Sequence, residues 1–279
     1  MVTEVEALAK VEATWPELDS WRVRLGEPFA PEIGSELEVD HVDWPPMPVA
    51  QVAWDGLISA VMHLHAVRIH LEPSSPAKPE LVPLAQATLG RSALIGAAQA
   101  VWVLAPGEPQ ERQRRARTCA RSFLEEHRKF LKVVDASDPE PHEGTRVLIE
   151  YTDTRLAELD ALRAGDGQRG SLNTTDVITQ AARVAFLSRP ALQNEVLMMW
   201  RSSSGAAHGL TWSVLGGPGS RQPTPEESAT PPGPSSESVL VTHRRGGDMV
   251  GLANLYLAAH RLAAHGWHLL KQRGSSPTG

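Results

Sequence analysis

The chain has 279 residues, 41% hydrophobic and 22% charged, with 22 glycines, 22 prolines, one cysteine and a formal net charge of -6. That length supports one large domain with a substantial core. The lone Cys119 excludes an internal disulfide and a Cys-rich zinc site. Glycine plus proline, at about 16% against a usual level of about 12%, is too little for a collagenous or wholly disordered chain.

Charge is unevenly spread. Residues 1–53 hold 11 acids and 3 bases, whereas residues 110–132 hold 8 bases and 3 acids. Such a basic run is either a solvated helix face or a local anion-binding face. The first twenty residues are acidic and lack the basic start and apolar run of a signal peptide. The most apolar stretch, 81–105, is interrupted by Pro83, Gln86, Arg91 and Gln99. No membrane span and a cytoplasmic location are expected.

Residues 1–53 join a short helical pattern (Val5, Leu8, Val11) to a Pro-rich extended run, EVDHVDWPPMPV, which predicts an acidic N-terminal cap outside the core. A helical domain follows over 54–273. Trp54, Ile58, Val61, His65 and Ile69 recur at helical spacing and predict one buried stripe. The next helix, 81–105, is apolar nearly all round, as expected of a central helix. Its only charge, Arg91, shares a line with Leu84, Ile95, Ala98 and Trp102. Arg91 is therefore expected to be a buried charge, paired with a carboxylate or with helix-end carbonyls.

Beyond the break at Pro106–Pro109, a basic helix is predicted to Val134, with Ala116, Cys119, Ala120, Phe123, Phe130 and Leu131 inward. Thr145 is the expected cap of a helix to Ala164 carrying Leu148, Leu156, Leu159 and Leu162. Asn173, Thr174 or Thr175 caps the next helix, and Pro190 suits the first turn of another. LTWSVL and SVLVTH read as two short strands able to pair. Between them residues 216–238, with ten Gly or Pro in 23 positions, predict a disordered loop. The last helix, 249–273, is expected to bury Leu252, Leu255, Tyr256, Ala259, Leu262, Ala263 and Leu270. The expected class is all-α, a bundle of six or more helices with at most one small β-hairpin.

The sequence contains no GxxxxGK[ST], GxSxG, HExxH or CxxC, and neither a metal nor a cofactor is expected. The closest histidines, His260, His265 and His268, are expected to face solvent rather than converge on a metal. The informative segment runs from Asn194 to Gly209. Asn194, Arg201 and His208 are seven apart and line one helix face, with Ser204 one turn from Arg201. A fixed cation, an imidazole and a hydroxyl suit a phosphodiester, because Arg can hold the phosphate and His can move a proton without metal.

Arg201, six residues and His208 resemble the R-x(4-6)-H signature of the HEPN superfamily, whose catalytic members are metal-independent ribonucleases of toxin and antiviral systems. RSALIGAAQAVWVLAP at 91–106, ERQRRAR at 111–117 and WRSSSGAAHG at 200–209 also resemble a group of uncharacterised helical bacterial proteins, loosely over 54–273. Ser202 stands where the superfamily often has Asn, Asp or His. The resemblance implies a homodimeric endoribonuclease with Arg201 and His208 catalytic and Ser204 and Asn194 positioning. RNA is then the partner, and Arg114, Arg117, Arg121 and Arg128 on the basic helix are its candidate contacts. A second reading stays open: Gly209 ends the helix, Arg201 and His208 are structural, and the chain is a non-catalytic interaction or regulatory protein with a protein partner.

Overall fold

The computed structural model describes residues 2–72, 81–137, 142–167, 170–210 and 249–276, and all regular structure in them is helical. In chain order the helices are α1 (Glu4–Glu12), α2 (Trp15–Arg24), α3 (Glu36–Asp40), α4 (Val49–Leu71) and α5 (Pro83–Leu104), followed by α6 (Pro109–Ser137), α7 (Glu143–Gly165), α8 (Thr174–Ala185), α9 (Pro190–Ala207) and α10 (Met249–Gly274). The protein is all-α. Both expected strands, from Thr211 onward, and the 216–238 loop lie outside the described residues.

Helix α5 is the centre. From Ala93 to Leu104 nearly every residue is buried, packed by α4, α10, α9 and α8. It alone among the described helices is long and apolar enough to cross a membrane by composition, and 67% of its most apolar stretch is buried within the fold. Such burial is what an all-round apolar helix requires.

Packing is closest where α4 crosses α5. A Cβ added at Gly96 would stand 2.5 Å from the Gly56 carbonyl oxygen, and one at Gly56 would stand 2.7 Å from the Gly96 carbonyl oxygen. Backbone meets backbone there, so neither glycine can gain a side chain without moving a helix. The expected stripe on α4 holds at Trp54 and Val61, which are buried, and weakens towards its end. The buried face runs through Ala53, Leu57, Ala60, Leu64, Val67 and Leu71, while Ile69 is exposed and His65 is half-buried. Glycine and alanine mark the seam because they allow the approach.

The N-terminal residues are more than a cap. Ala7, Val11, Leu18, Trp21 and Leu37 belong to the same hydrophobic core as α4 and α5. Thr3 forms a capping box with Glu6 at the start of α1. Part of the expected extended run is instead helix α3, whose Ser35 accepts a hydrogen bond from the Glu38 N–H. Trp21 stacks on His260 of α10 at 4.7 Å, and Thr14 and Tyr256 join hydroxyls at 3.1 Å.

His260 is accordingly buried rather than solvent-facing. Its Nε2 lies 3.4 Å from Glu17 Oε2 without a hydrogen bond. Burial, assisted by Arg261, pushes its pKa down to about 4.

Helices α6 and α7 form an antiparallel hairpin. Ala116, Cys119, Ala120 and Leu131 are inward as expected, but Phe130 is 62% exposed near the tip, with Val133 and Leu148 exposed beside it. α7 begins at Glu143, ahead of the expected Thr145 cap.

Two outcomes test this packing. Gly96→Ala is expected to destabilise the fold by about 1–3 kcal/mol, because overpacking against backbone outweighs the roughly 1 kcal/mol that alanine contributes to a helix. Gly144→Ala, which meets nothing within 4 Å, is expected to be neutral or slightly stabilising in the same urea titrations. For His260 the folded pKa lies below the unfolded value of about 6.5, so the full stability is present above that pH. It is lost as pH falls from there through about 4, by up to about 3 kcal/mol. His260→Phe is expected to remove this part of the acid sensitivity in denaturation at pH 7 and pH 4.5; parallel losses in both proteins would refute it.

Candidate functional site

Helix α9 opens with Pro190 in its first turn, where the missing N–H costs nothing. It packs against α5, α8 and α10 through Val196, Met199, Trp200, Ser203 and Ala206. The opposite face carries Asn194, Arg201 and His208, all exposed. Asn194 and Arg201 belong to α9, and His208 is the residue that caps its C-terminal end. Among the described residues none of them makes an ion pair or a side-chain hydrogen bond. Seven residues correspond to about 10 Å of helix axis, a span over which arginine and histidine side chains can approach one phosphodiester from two ends.

The helix ends where its chemistry requires. His208 is the C-cap, and its N–H donates to the Ser204 carbonyl at 3.2 Å. Gly209 adopts φ +69°, its N–H donates to the Ala206 carbonyl, and the Leu210 N–H donates to the Gly205 carbonyl. This pair of bonds is a Schellman closure, and it holds His208 at the lip of the helix. Ser204 is half-buried, while Ser203 is buried and donates its hydroxyl to the Met199 carbonyl at 2.6 Å. The serine run thus continues the helix instead of breaking it.

Arg91 sits beside this segment with a different partner from the one expected. It is half-buried, and its guanidinium lies over the Trp200 ring, 4.9 Å from the centroid. No carboxylate or helix-end carbonyl pairs with it among the described residues, and its Nε has no hydrogen-bond partner. An aromatic face satisfies a cation without a counter-charge. Trp200 is held from the other side by its Nε1, which donates to Thr175 Oγ1 at 3.2 Å.

The four arginines expected to contact RNA are all engaged by carboxylates. Arg114 makes two 2.6 Å bonds to Glu111. Arg117 bridges Asp43, at 2.5 Å, and Asp166. Arg121 meets Asp160 at 2.6 Å and Glu125 at 2.8 Å, and Arg128 meets Asp153 at 3.2 Å. Arg117, Arg121 and Arg128 thus turn towards α7 and its cap, while Arg114 pairs within α6.

Sequence reasoning missed a second arginine cluster. At the C-terminal end of α5, Arg112 is 1% exposed and pairs with the fully buried Asp40, Nε to Oδ2 at 2.6 Å. It also donates to the Pro106 and Gly107 carbonyls and lies 2.9 Å from Glu36. Arg273 donates to the carbonyls of Leu104 and Ala105 and pairs with Glu36. Burial raises the Asp40 carboxyl above its ordinary range against the pull of Arg112. The only available signal was an isolated acidic stretch at 36–43 and a run of arginines with no partners assigned to them.

Cys119 is fully buried, and burial pushes its thiol up to about 12, so it is no nucleophile. Among the described residues no group of three or more His, Cys, Asp or Glu could hold a metal ion. Comparison of the chain with protein-family models, curated proteins and solved structures finds no match.

Gly209→Ala is expected to cost about 1–2 kcal/mol, since a side chain disfavours the left-handed backbone at that position. Urea denaturation measures it; an unchanged midpoint would mean that the Schellman closure does not hold the end of α9.

Proposed function

We propose that the exposed face of α9 carries a metal-independent, HEPN-like endoribonuclease site in which Arg201 binds and stabilises the phosphoryl group and His208 moves the proton of the 2′-hydroxyl. The observation that carries this reading is the contrast between two sets of arginines. Those of α6 are committed to carboxylates, whereas Arg201 is exposed beside His208 with no counter-charge among the described residues. A free guanidinium is available to a phosphate, and a neutralised one largely is not. Asn194 lies on the same face, and Ser204 stands one turn from Arg201, where a polar group can position the chain. In the homodimer that belongs to this proposal, two such faces line a shared cleft.

A non-catalytic interaction protein is supported by a different observation. Phe130, Val133, Leu148 and Tyr151 are exposed on the α6–α7 hairpin, an apolar surface of the kind that protein partners cover.

Purified protein incubated with mixed-sequence RNA in EDTA separates the two. The nuclease reading expects cleavage by the wild type and a loss of about 100-fold or more in both His208→Ala and Arg201→Ala. Equal cleavage by all three proteins identifies a contaminant and sinks the catalytic reading. Intact RNA with every protein leaves the interaction reading in its place.

A further inference from the structure

Helix α7 runs for 23 residues, and among the described helices α6 is the one against which it packs substantially. Its buried line is Thr152, Leu156, Leu159 and Arg163, which leaves the rest of its surface uncovered. Ion pairs fix the stagger of the two helices. Arg128 meets Asp153 and Arg121 meets Asp160, so Phe130 stands level with Tyr151, and Val134 with Val147. At about 100° per residue, Phe130 and Val134 lie about a quarter turn from the buried Leu131 of α6. Leu148 and Tyr151 lie about a quarter turn, in the same sense, from the buried line of α7. In an antiparallel pair, equal rotations bring both sets to one side of the hairpin. All four residues are exposed there, with Val133 and Val147 exposed at the margins.

The exposed parts of these six side chains amount to on the order of 500 Å², at the upper end of the apolar patch that a monomer leaves uncovered. That is more than half of the ~800 Å² that each partner gives to a standard interface. The charges at its border are balanced. Glu126 pairs with Lys129 and Arg155 with Glu158, and the Arg155 guanidinium also lies over the Tyr151 ring, 5.1 Å from the centroid. Two acids and two bases offer little to a polyanion or an anionic lipid surface, yet they do not repel a copy of themselves, because each carboxylate of one hairpin can meet a cation of the other. We propose that this face is where two copies of the chain associate, hairpin on hairpin, as a four-helix bundle. A two-fold axis covers the patch with one of equal size and gives α7 the second neighbour it lacks. The surface lies on α6 and α7 and does not depend on the nuclease reading of α9.

The test is analytical ultracentrifugation of the full chain from micromolar to near-millimolar concentration. A reversible monomer–dimer equilibrium is expected, which Phe130→Glu and Tyr151→Glu together weaken by about tenfold or more. Both positions are exposed, so the variant is expected to keep the helical circular dichroism of the wild type. Met198→Glu, on the exposed face of α9, leaves the equilibrium unchanged. A wild type that stays monomeric throughout overturns the proposal, and the face then belongs to a different protein. So does a dimer that survives the hairpin variant or yields to Met198→Glu, since the contact then lies elsewhere. Should the hairpin variant lose its helical signal, hydrogen exchange of the wild type decides instead. Protection over 126–134 and 147–155 that rises with protein concentration is expected, and exchange independent of concentration there rejects the assignment.

Discussion

The fold depends on how a buried helix end is satisfied. The last carbonyls of any α-helix lack partners within the helix, and α5 ends inside the protein, where each unsatisfied group would cost about 1–3 kcal/mol. Arginines reach these groups. Arg115 takes the Trp102 carbonyl and Arg273 those of Leu104 and the capping Ala105, while Arg112 takes those of Pro106 and Gly107 just beyond the helix. Each guanidinium offers five N–H donors and a charge suited to the negative end of the helix dipole. Such cations create a second requirement, since Arg112 and Arg273 are themselves buried. Asp40 and Glu36 of α3 meet it, so the acidic N-terminal residues and the end of α10 are drawn to one place by the end of α5.

That dependence explains why the N-terminal residues read as peripheral. Periodicity located α4 to α10, because long amphipathic or wholly apolar runs have few other solutions. Asn173 capping α8 and Pro190 opening α9 were legible for the same local reason. Residues 1–53 carry shorter patterns whose partners lie far along the chain, as with Asp40 and Arg112 or Thr14 and Tyr256. Nothing local announces them. The Gly56–Gly96 contact was hidden in another way, since a search for large apolar residues passes over the small ones that let two helices touch. Phe130 shows the converse error: helical phase put it inward, but α6 outruns the body of the protein there.

Charge was legible in amount and illegible in use. The basic run of α6 was correctly located, yet its meaning lies in α7, whose Asp153, Asp160 and Asp166 step along the opposing face in antiparallel register. A count along the chain cannot pair residues some 25–50 positions apart. The partly exposed members of this ladder contribute little each, about 0–1 kcal/mol. Their larger effect is on availability, because a guanidinium held by a carboxylate must be released before it can bind a phosphate.

The unpaired cations then separate by burial. Arg201 is exposed and hydrated, so leaving it without a partner costs the fold nothing, and its freedom permits a ligand without requiring one. Arg91 is satisfied by the face of Trp200, which fixes the inner side of the turn from which Arg201 projects. Arg163 is buried, and its Nη2 donates to the Gly170 carbonyl just beyond the end of α7. It thus does at the end of α7 what Arg112 and Arg273 do near the end of α5, where a buried guanidinium is retained because it satisfies backbone oxygens that no other group reaches.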